Sequence, residues 1–72
     1  MNRAQCKMAR AGLGWRAADL ADASGVGTAT IARFELGHDV SKDSVERLRN
    51  ALSEAGAGFS SRSGRIGVTV PV

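Results

Sequence analysis

The sequence contains one cysteine, one proline, no tyrosine and only three aromatic residues among its 72 positions. A single cysteine, Cys6, excludes a disulfide within the chain and any metal site built on several cysteines. The chain also lacks the roughly 18 consecutive apolar residues of a membrane-spanning helix and the apolar N-terminal run of a signal peptide. These absences predict a cytoplasmic protein with no membrane partner and no metal ion or cofactor, in which Cys6 is a small, half-buried residue.

The length of the chain limits both its core and its chemistry. A chain of 72 residues forms one small domain with a modest margin of stability and no room for a large catalytic cleft. We therefore predict that it is not an enzyme, and we interpret His38 beside Asp39 as an exposed loop residue rather than half of a catalytic dyad. Ten Lys or Arg residues against seven Asp or Glu leave a net charge of +3, which favours a polyanionic partner.

A capping signal marks the start of the first predicted helix. Asn2 followed three residues later by Gln5 matches a capping box, and Gly12 and Gly14 end the helix. The prediction is a helix over about residues 3–11. Small or apolar side chains recur on one of its faces at Ala4, Met8 and Ala11. Basic side chains recur on another face at Arg3, Lys7 and Arg10.

The segment 17–36 has the spacing of two short helices joined by a tight turn. Ala21 is small enough for the helices to cross closely, Gly25 permits a positive φ at the turn, and Ile31 fills the crossing. Gly27 begins the second helix of the pair. The outer face of that helix has short side chains apart from one arginine: Thr28, Ala29, Ala32 and Arg33. Such a face fits deep into a groove.

The first helix of the pair begins without a good capping side chain. Arg16 at the N-cap offers no acceptor to the free backbone N–H groups, although Trp15 and Leu20 are spaced as a hydrophobic staple. An open helix N-terminus beside an arginine is a site where a phosphate supplies the missing acceptor. Water satisfies the same groups when no anion is bound.

A fourth helix is predicted between a serine cap at Ser41 and a terminating glycine at Gly56. Its apolar residues recur at helical spacing and form the side expected to face the core: Val45, Leu48, Leu52 and Ala55.

Beyond Gly56 the composition changes. Residues 57–65 are rich in glycine and serine and are interpreted as a flexible linker, whereas β-branched residues at every second position from 66 to 72 predict a strand. Pro71 restricts this strand to a sheet edge or a strand end. A lone strand is not stable in water, so we expect it to pair either with a short strand around Phe59 or with a second copy of the chain.

Pairing between two copies is the interpretation that we favour. Residues 1–56 contain no other predicted strand, and two-fold association is the commonest route to a closed oligomer. A disordered tail is the alternative. The residues assigned to the contact between copies are Ile66, Val68 and Val70.

The segment 13–37 resembles the XRE/Cro-C1 family of helix-turn-helix proteins, which includes the lambdoid phage repressors. The motifs LGW, DLA, SGV and TIARFE appear in the family's order and are followed by Gly37. The resemblance covers about residues 3–56. It implies a mainly α fold, a four-helix repressor-like domain over residues 1–56, to which this chain adds a short C-terminal strand. It also implies double-stranded DNA as the partner, with the second helix of the motif in the major groove.

The resemblance implies roles for individual residues. The residues implied to contact bases are Gly27, Thr28, Ala29 and Arg33. Arg33 is the strongest of these candidates because a guanidinium grips O6 and N7 of guanine with two hydrogen bonds. The residues implied to contact phosphates are Arg16, Ala17, His38 and Lys42. Arg10 and Glu35 match a pair that forms a partly buried salt bridge in the family, and we assign them to structure.

Two features depart from the family pattern. The first helix of the motif often begins with Ser or Thr followed by Gln, where this chain has Arg16 and Ala17. A phosphate-binding side chain is thereby lost and a charge is gained one residue earlier. Phage repressors also add a fifth helix for dimerisation, so the resemblance does not show how two copies of this chain associate.

The sequence as a whole predicts a homodimeric transcription regulator of a bacterial or phage nucleoid that binds a palindromic operator. One alternative is an antitoxin or anti-activator whose C-terminal strand adds to the sheet of a partner protein. Another is a recombination or architectural factor that bends DNA.

Overall fold

Four α-helices and one β-hairpin form the fold, and the computed structural model describes all of residues 1–72. The helices and strands are α1 (Arg3–Gly12), α2 (Ala17–Ser24), α3 (Thr28–Glu35), α4 (Lys42–Glu54), β1 (Gly58–Arg62) and β2 (Arg65–Thr69). The predicted mainly α architecture with a C-terminal β element is confirmed. None of the four helices combines the length and the hydropathy that crossing a membrane requires.

The capping signals start and end the helices as predicted, within one residue. Asn2 Oδ1 accepts a hydrogen bond from the backbone N–H of Gln5 at 2.9 Å, and Gln5 Oε1 accepts one from that of Asn2 at 3.0 Å. At the start of α4, Ser41 Oγ accepts a hydrogen bond from the N–H of Ser44 at 3.1 Å. Gly56 has a φ of +101° and terminates α4, because glycine adopts this left-handed conformation without strain.

The core takes buried side chains from all four helices, from the turn before α3 and from the residue before β1. Its members are Cys6, Ala9, Leu20, Val26, Ile31, Leu48, Ala51, Leu52 and Ala57. The predicted apolar side of α4 is confirmed at Leu48 and Leu52, which are fully buried, while Val45 and Ala55 are half-buried at its margins.

The apolar face predicted for α1 is wrong. Ala4, Met8 and Ala11 are exposed, and the helix buries Gln5, Cys6 and Ala9 instead. Alanine has too little apolar area to decide which face turns inward. Gln5 is buried because its polar groups find partners at the start of α1 and in the hairpin.

The segment 57–65 is not a flexible linker, contrary to the prediction. It contains β1, which pairs antiparallel with β2 in a register that places Phe59 opposite Val68. The two turn residues Ser63 and Gly64 have φ of 52° and 73°, and positive φ at both positions is typical of a type I′ hairpin turn. Small residues in this stretch indicate flexibility by composition alone, but pairing with β2 orders them.

The hairpin packs on α1, and β2 has a strand partner, β1, within the same chain. Nε2 of Gln5 donates hydrogen bonds to one carbonyl oxygen of each strand, at 2.9 Å and 3.3 Å. Val68 and Val70 pack against the core of their own chain, whereas Ile66 is 38% exposed. β1 supplies the partner that the strand needs, so the reason for assigning these residues to a contact between copies is wrong.

Candidate nucleic-acid interface

A tight, internally bonded turn joins α2 to α3. Gly25 has a φ of +75°, and its N–H donates to the carbonyl oxygen of Ala21 at 2.9 Å. Ser24 Oγ accepts a hydrogen bond from the N–H of Val26 at 3.1 Å, and the Val26 side chain is buried. The predicted turn is confirmed, and it places Gly27 at the N-cap of α3.

The helix α3 has one buried side and one exposed side, and the exposed side carries mostly short side chains; we call it the bare ridge. Ile31 is fully buried, and Phe34 packs against the core beside it. The opposite side consists of exposed residues: Thr28, Ala29, Ala32 and Arg33. These four positions span an arc of about 140° in a helix of about 3.6 residues per turn. The structure therefore brings the predicted base-contacting side chains together on one narrow, exposed ridge.

The two ends of this ridge differ in what surrounds them. At its start, Gly27 is exposed, and a Cβ placed there would have no other atom within 4 Å. Near its end, Arg33 is exposed and belongs to none of the three ion pairs of the structure. The backbone at Gly27 is thus open to close approach at one end, and an unpaired guanidinium is available at the other.

Asp19 holds Arg16, a contact that the sequence analysis did not predict. Asp19 Oδ2 accepts the backbone N–H of Arg16 at 2.7 Å, and its two oxygens accept hydrogen bonds from the guanidinium at 3.4 Å and 3.3 Å. These hydrogen bonds lower the pKa of Asp19 and raise the pKa of Arg16. The start of α2 is less open than expected, because a carboxylate already satisfies one N–H group and its charge repels phosphate.

The first turn of α2 nevertheless offers backbone donors. The N–H groups of Ala17 and Ala18 make no hydrogen bond within the protein. The side chain of Ala17 packs against the core, so its outward-facing part is the backbone. Any phosphate contact at Ala17 therefore uses the N–H group.

The loop between α3 and α4 carries the other residues predicted to contact phosphate. His38 is exposed and donates its backbone N–H to the carbonyl oxygen of Arg33 at 2.9 Å, and Lys42 is exposed at the start of α4. Arg3 of α1 reaches the same loop, since its Nη1 lies 2.6 Å from the position of a Cβ on Gly37. The packing of α1 on α3 makes Arg3 a neighbour of the loop, and the periodicity of α1 alone does not reveal it.

A salt bridge joins α1 to the last residue of α3. Glu35 accepts hydrogen bonds from Nε and Nη2 of Arg10 at 3.0 Å and 2.8 Å, and the Arg10 Nη1 donates to the carbonyl oxygen of Trp15 at 3.2 Å. The predicted pair is therefore present. Cys6 Sγ lies 3.5 Å from the same carboxylate and is fully buried rather than half-buried. Burial, followed by the negative charge of Glu35, raises the pKa of Cys6 to about 12.

A family model described as helix-turn-helix matches residues 7–54, about two-thirds of the chain. The matched segment runs from α1 to the last residue of α4, so it covers the α2–α3 motif and the helices that pack around it, while the hairpin lies outside it. No curated protein matches the sequence.

Proposed function

Because the chain belongs to the XRE-type, Cro/C1-like family of helix-turn-helix DNA-binding proteins, we propose that it is a sequence-specific transcription regulator that binds a palindromic operator as a homodimer. The observation that carries this proposal is the bare ridge of α3. Short side chains let the helix lie deep in the major groove, and one unpaired guanidinium is available to read a base.

Four residues on this ridge read the bases in the proposed complex. Arg33 donates two hydrogen bonds to a guanine, while Thr28 and Ala29 contact thymine methyl groups. Gly27 lets the backbone approach the edge of the groove, as its open surroundings support. Few of these contacts are specific, so a single protomer discriminates weakly among sequences.

Phosphate contacts on both sides of α3 position the helix. We assign them to Arg16, to the N–H group of Ala17, and to His38 and Lys42 in and after the loop. Because Arg16 is bonded to Asp19, its guanidinium exchanges the carboxylate for a phosphate on binding. Such contacts add affinity and register without sequence information.

The small number of specific base contacts made by one α3 helix supports a homodimer. Two protomers related by a two-fold axis read two half-sites about one helical turn, ~34 Å, apart and thereby double the number of base contacts. Because β2 already pairs with β1, its stability does not require strand addition to another protein, which was the reason for the antitoxin-type alternative.

Selection of bound duplexes from a random DNA pool tests the proposal. The expected result is an enriched palindrome, occupied by two protomers per duplex in sedimentation equilibrium. The Arg33→Ala variant, carried through the same selection, is expected to lose a preferred G·C pair in each half-site. Duplex binding without enrichment would indicate an architectural DNA-binding protein instead, and failure to retain any duplex would overturn the proposal.

A further inference from the structure

The charges of this chain are unevenly distributed over its elements. Residues 1–18 and 55–72 together contain six cationic residues and no Asp or Glu: Arg3, Lys7, Arg10, Arg16, Arg62 and Arg65. All seven acidic residues lie between 19 and 54, where α2, α3 and α4 are located. Because α1 packs against β2, the cations of α1 and of the hairpin lie on neighbouring elements.

Two of these cations face each other at the end of the hairpin. Arg62 and Arg65 are the last pair of the β-ladder and flank the two-residue turn. Residues directly opposite in an antiparallel ladder point to the same face, and like charges in that arrangement repel. Both residues are exposed, and neither takes part in an ion pair. The hairpin tip therefore concentrates two positive charges that no carboxylate of the protein neutralises.

The face that carries these arginines is smooth. Alternation along the strands places on it only small residues besides the two arginines: Gly58, Ser60, Gly67 and Thr69. A Cβ on Gly67 would lie 2.6 Å from Ser60 Oγ, so the hydroxyl occupies the space that a larger residue would need. A face without projecting side chains allows a polyanionic backbone to approach the strands closely.

The tip is held in place relative to α1. The Gln5 amide bonds to Ser60 and Gly67, and a Cβ on Gly12 would lie 3.0 Å from Val70 at the other end of α1. Gln5 contacts Gly67 and Gly12 contacts Val70, and three residues of strand and seven of helix both span about 10 Å, so β2 runs in the same direction as α1. The tip therefore lies level with the start of α1.

The start of α1 is also where Arg3 meets the loop between α3 and α4. Arg3 lies against Gly37, next to His38. The hairpin tip and this loop are thus at the same end of α1, and the DNA that α3 reads runs past the loop in the proposed complex.

We propose that Arg62 and Arg65 bind phosphate groups of the DNA that α3 reads, as a second, sequence-independent contact. This inference rests on the proposed function. Guanidinium groups bind phosphate oxygens through paired, charge-assisted hydrogen bonds. A phosphate placed between the two arginines also removes the repulsion that they experience in the free protein. In the proposed complex, the hairpin thus adds a positively charged contact with the DNA backbone beside the helix-turn-helix motif.

The test compares the full chain with its Arg62→Gln/Arg65→Gln variant by fluorescence anisotropy over a salt series. The probes are a labelled 30-base-pair duplex carrying the selected operator and a scrambled duplex of the same composition. Loss of two phosphate contacts lowers the slope of log K against log salt concentration by about 1.8 for each bound protomer, and by about 3.6 when two protomers bind the duplex. Raising the salt from ~50 to ~200 mM then weakens binding ~12-fold less per protomer than in the wild type. The affinity decreases by the same factor on both duplexes, since phosphates carry no sequence.

Two further variants are controls. One tests whether any loss of two positive charges changes the salt slope, and the other tests whether the substitutions act by damaging the hairpin. Arg47→Gln/Arg49→Gln removes the same charge from the exposed side of α4, in the acidic half of the chain, and is expected to change the slope little. Arg62→Lys/Arg65→Lys retains both charges and is expected to restore most of the slope. The inference is overturned if the hairpin glutamine variant has the slope of the wild type or of the α4 control. If the wild type still binds the operator more tightly than the scrambled duplex, the proposed function then stands without the hairpin contact. If the wild type binds neither duplex, both the proposed function and the hairpin contact are overturned.

Discussion

Glu35 of α3 accepts two hydrogen bonds from the guanidinium of Arg10 on α1, and only 20% of the Arg10 side chain and 11% of the Glu35 side chain are exposed. The pair fixes the last turn of the helix that carries the bare ridge. Its partners lie 25 residues apart in sequence, so it holds together elements that no local signal joins.

Replacing Glu35 with glutamine is expected to destabilise the protein by about 2 kcal/mol, because a largely buried guanidinium loses its counter-charge. Urea unfolding followed by circular dichroism measures this as a lower midpoint with an unchanged m-value. The double variant Arg10→Met/Glu35→Leu removes both charges and is expected to recover much of the loss. Equal midpoints for Glu35→Gln and the wild type would show that the pair contributes little.

Cys6 makes stability depend on pH in the alkaline range. Burial, together with Glu35, raises the pKa of the Cys6 thiol from its ordinary value of 9.0 to about 12. The unfolded chain therefore loses the thiol proton at lower pH than the folded one. The contribution to stability is fully present below pH 9.0 and is lost as the pH rises towards about 12.

Unfolding midpoints of the wild type and Cys6→Ser between pH 8 and 11 check this expectation, since the serine variant lacks the titrating thiol. The decrease in midpoint is expected to be steeper for the wild type, and parallel curves would contradict it. At pH 8 the folded protein is also expected to react with iodoacetamide far more slowly than the urea-unfolded chain, because the thiol is both neutral and buried.

The amide of Gln5 anchors the hairpin to α1. Gln5→Glu keeps the oxygen that accepts the Asn2 N–H but replaces the donor to Ser60 and Gly67 with an acceptor. We expect a loss of about 1–3 kcal/mol and faster amide hydrogen exchange in β1 and β2. Asn2→Ala is the matched control, since it removes the capping box and leaves the strand contacts in place. Slow exchange in the hairpin of the Gln5→Glu variant would show that the anchor is dispensable.

Arg33 is expected to carry most of the base discrimination. Arg33→Ala should reduce the free-energy difference between the selected operator and one with a changed G·C pair by roughly 1–3 kcal/mol. Competition binding with a panel of single-base-pair variants of the operator measures the effect position by position. A uniform loss across the panel would assign Arg33 to a phosphate instead.

Asp19 is expected to restrain DNA binding. Asp19→Asn keeps a side-chain oxygen for the Arg16 N–H but removes the charge that holds the guanidinium and repels phosphate. Tighter binding of all duplexes at low salt is the expected result of anisotropy titrations. In contrast, Arg16→Ala should weaken all duplexes alike and reduce the salt slope by about 0.9 for each bound protomer. An unchanged slope for Arg16→Ala would exclude a phosphate contact at that residue.

Local chemistry explains why the helix-turn-helix part was predictable. The signals that start and end the helices act within a few residues, so the amino-acid sequence is enough to place the helix ends. They are the capping box of Asn2 and Gln5, the serine cap at Ser41 and the left-handed Gly25. The bare side of α3 follows equally from helical periodicity, because Ile31 must face inward.

The sequence by itself thus determined the four helices, the turn of the motif and the short side chains on the outer side of α3. The tertiary structure decided which side of α1 is buried, that β2 pairs with β1, and that Arg3 lies beside Gly37. These features depend on contacts between distant residues, such as the hydrogen bond from Gln5 to Gly67 across 62 positions. No local pattern encodes such a contact, since its free energy arises only when the chain closes a loop of that length and buries both partners.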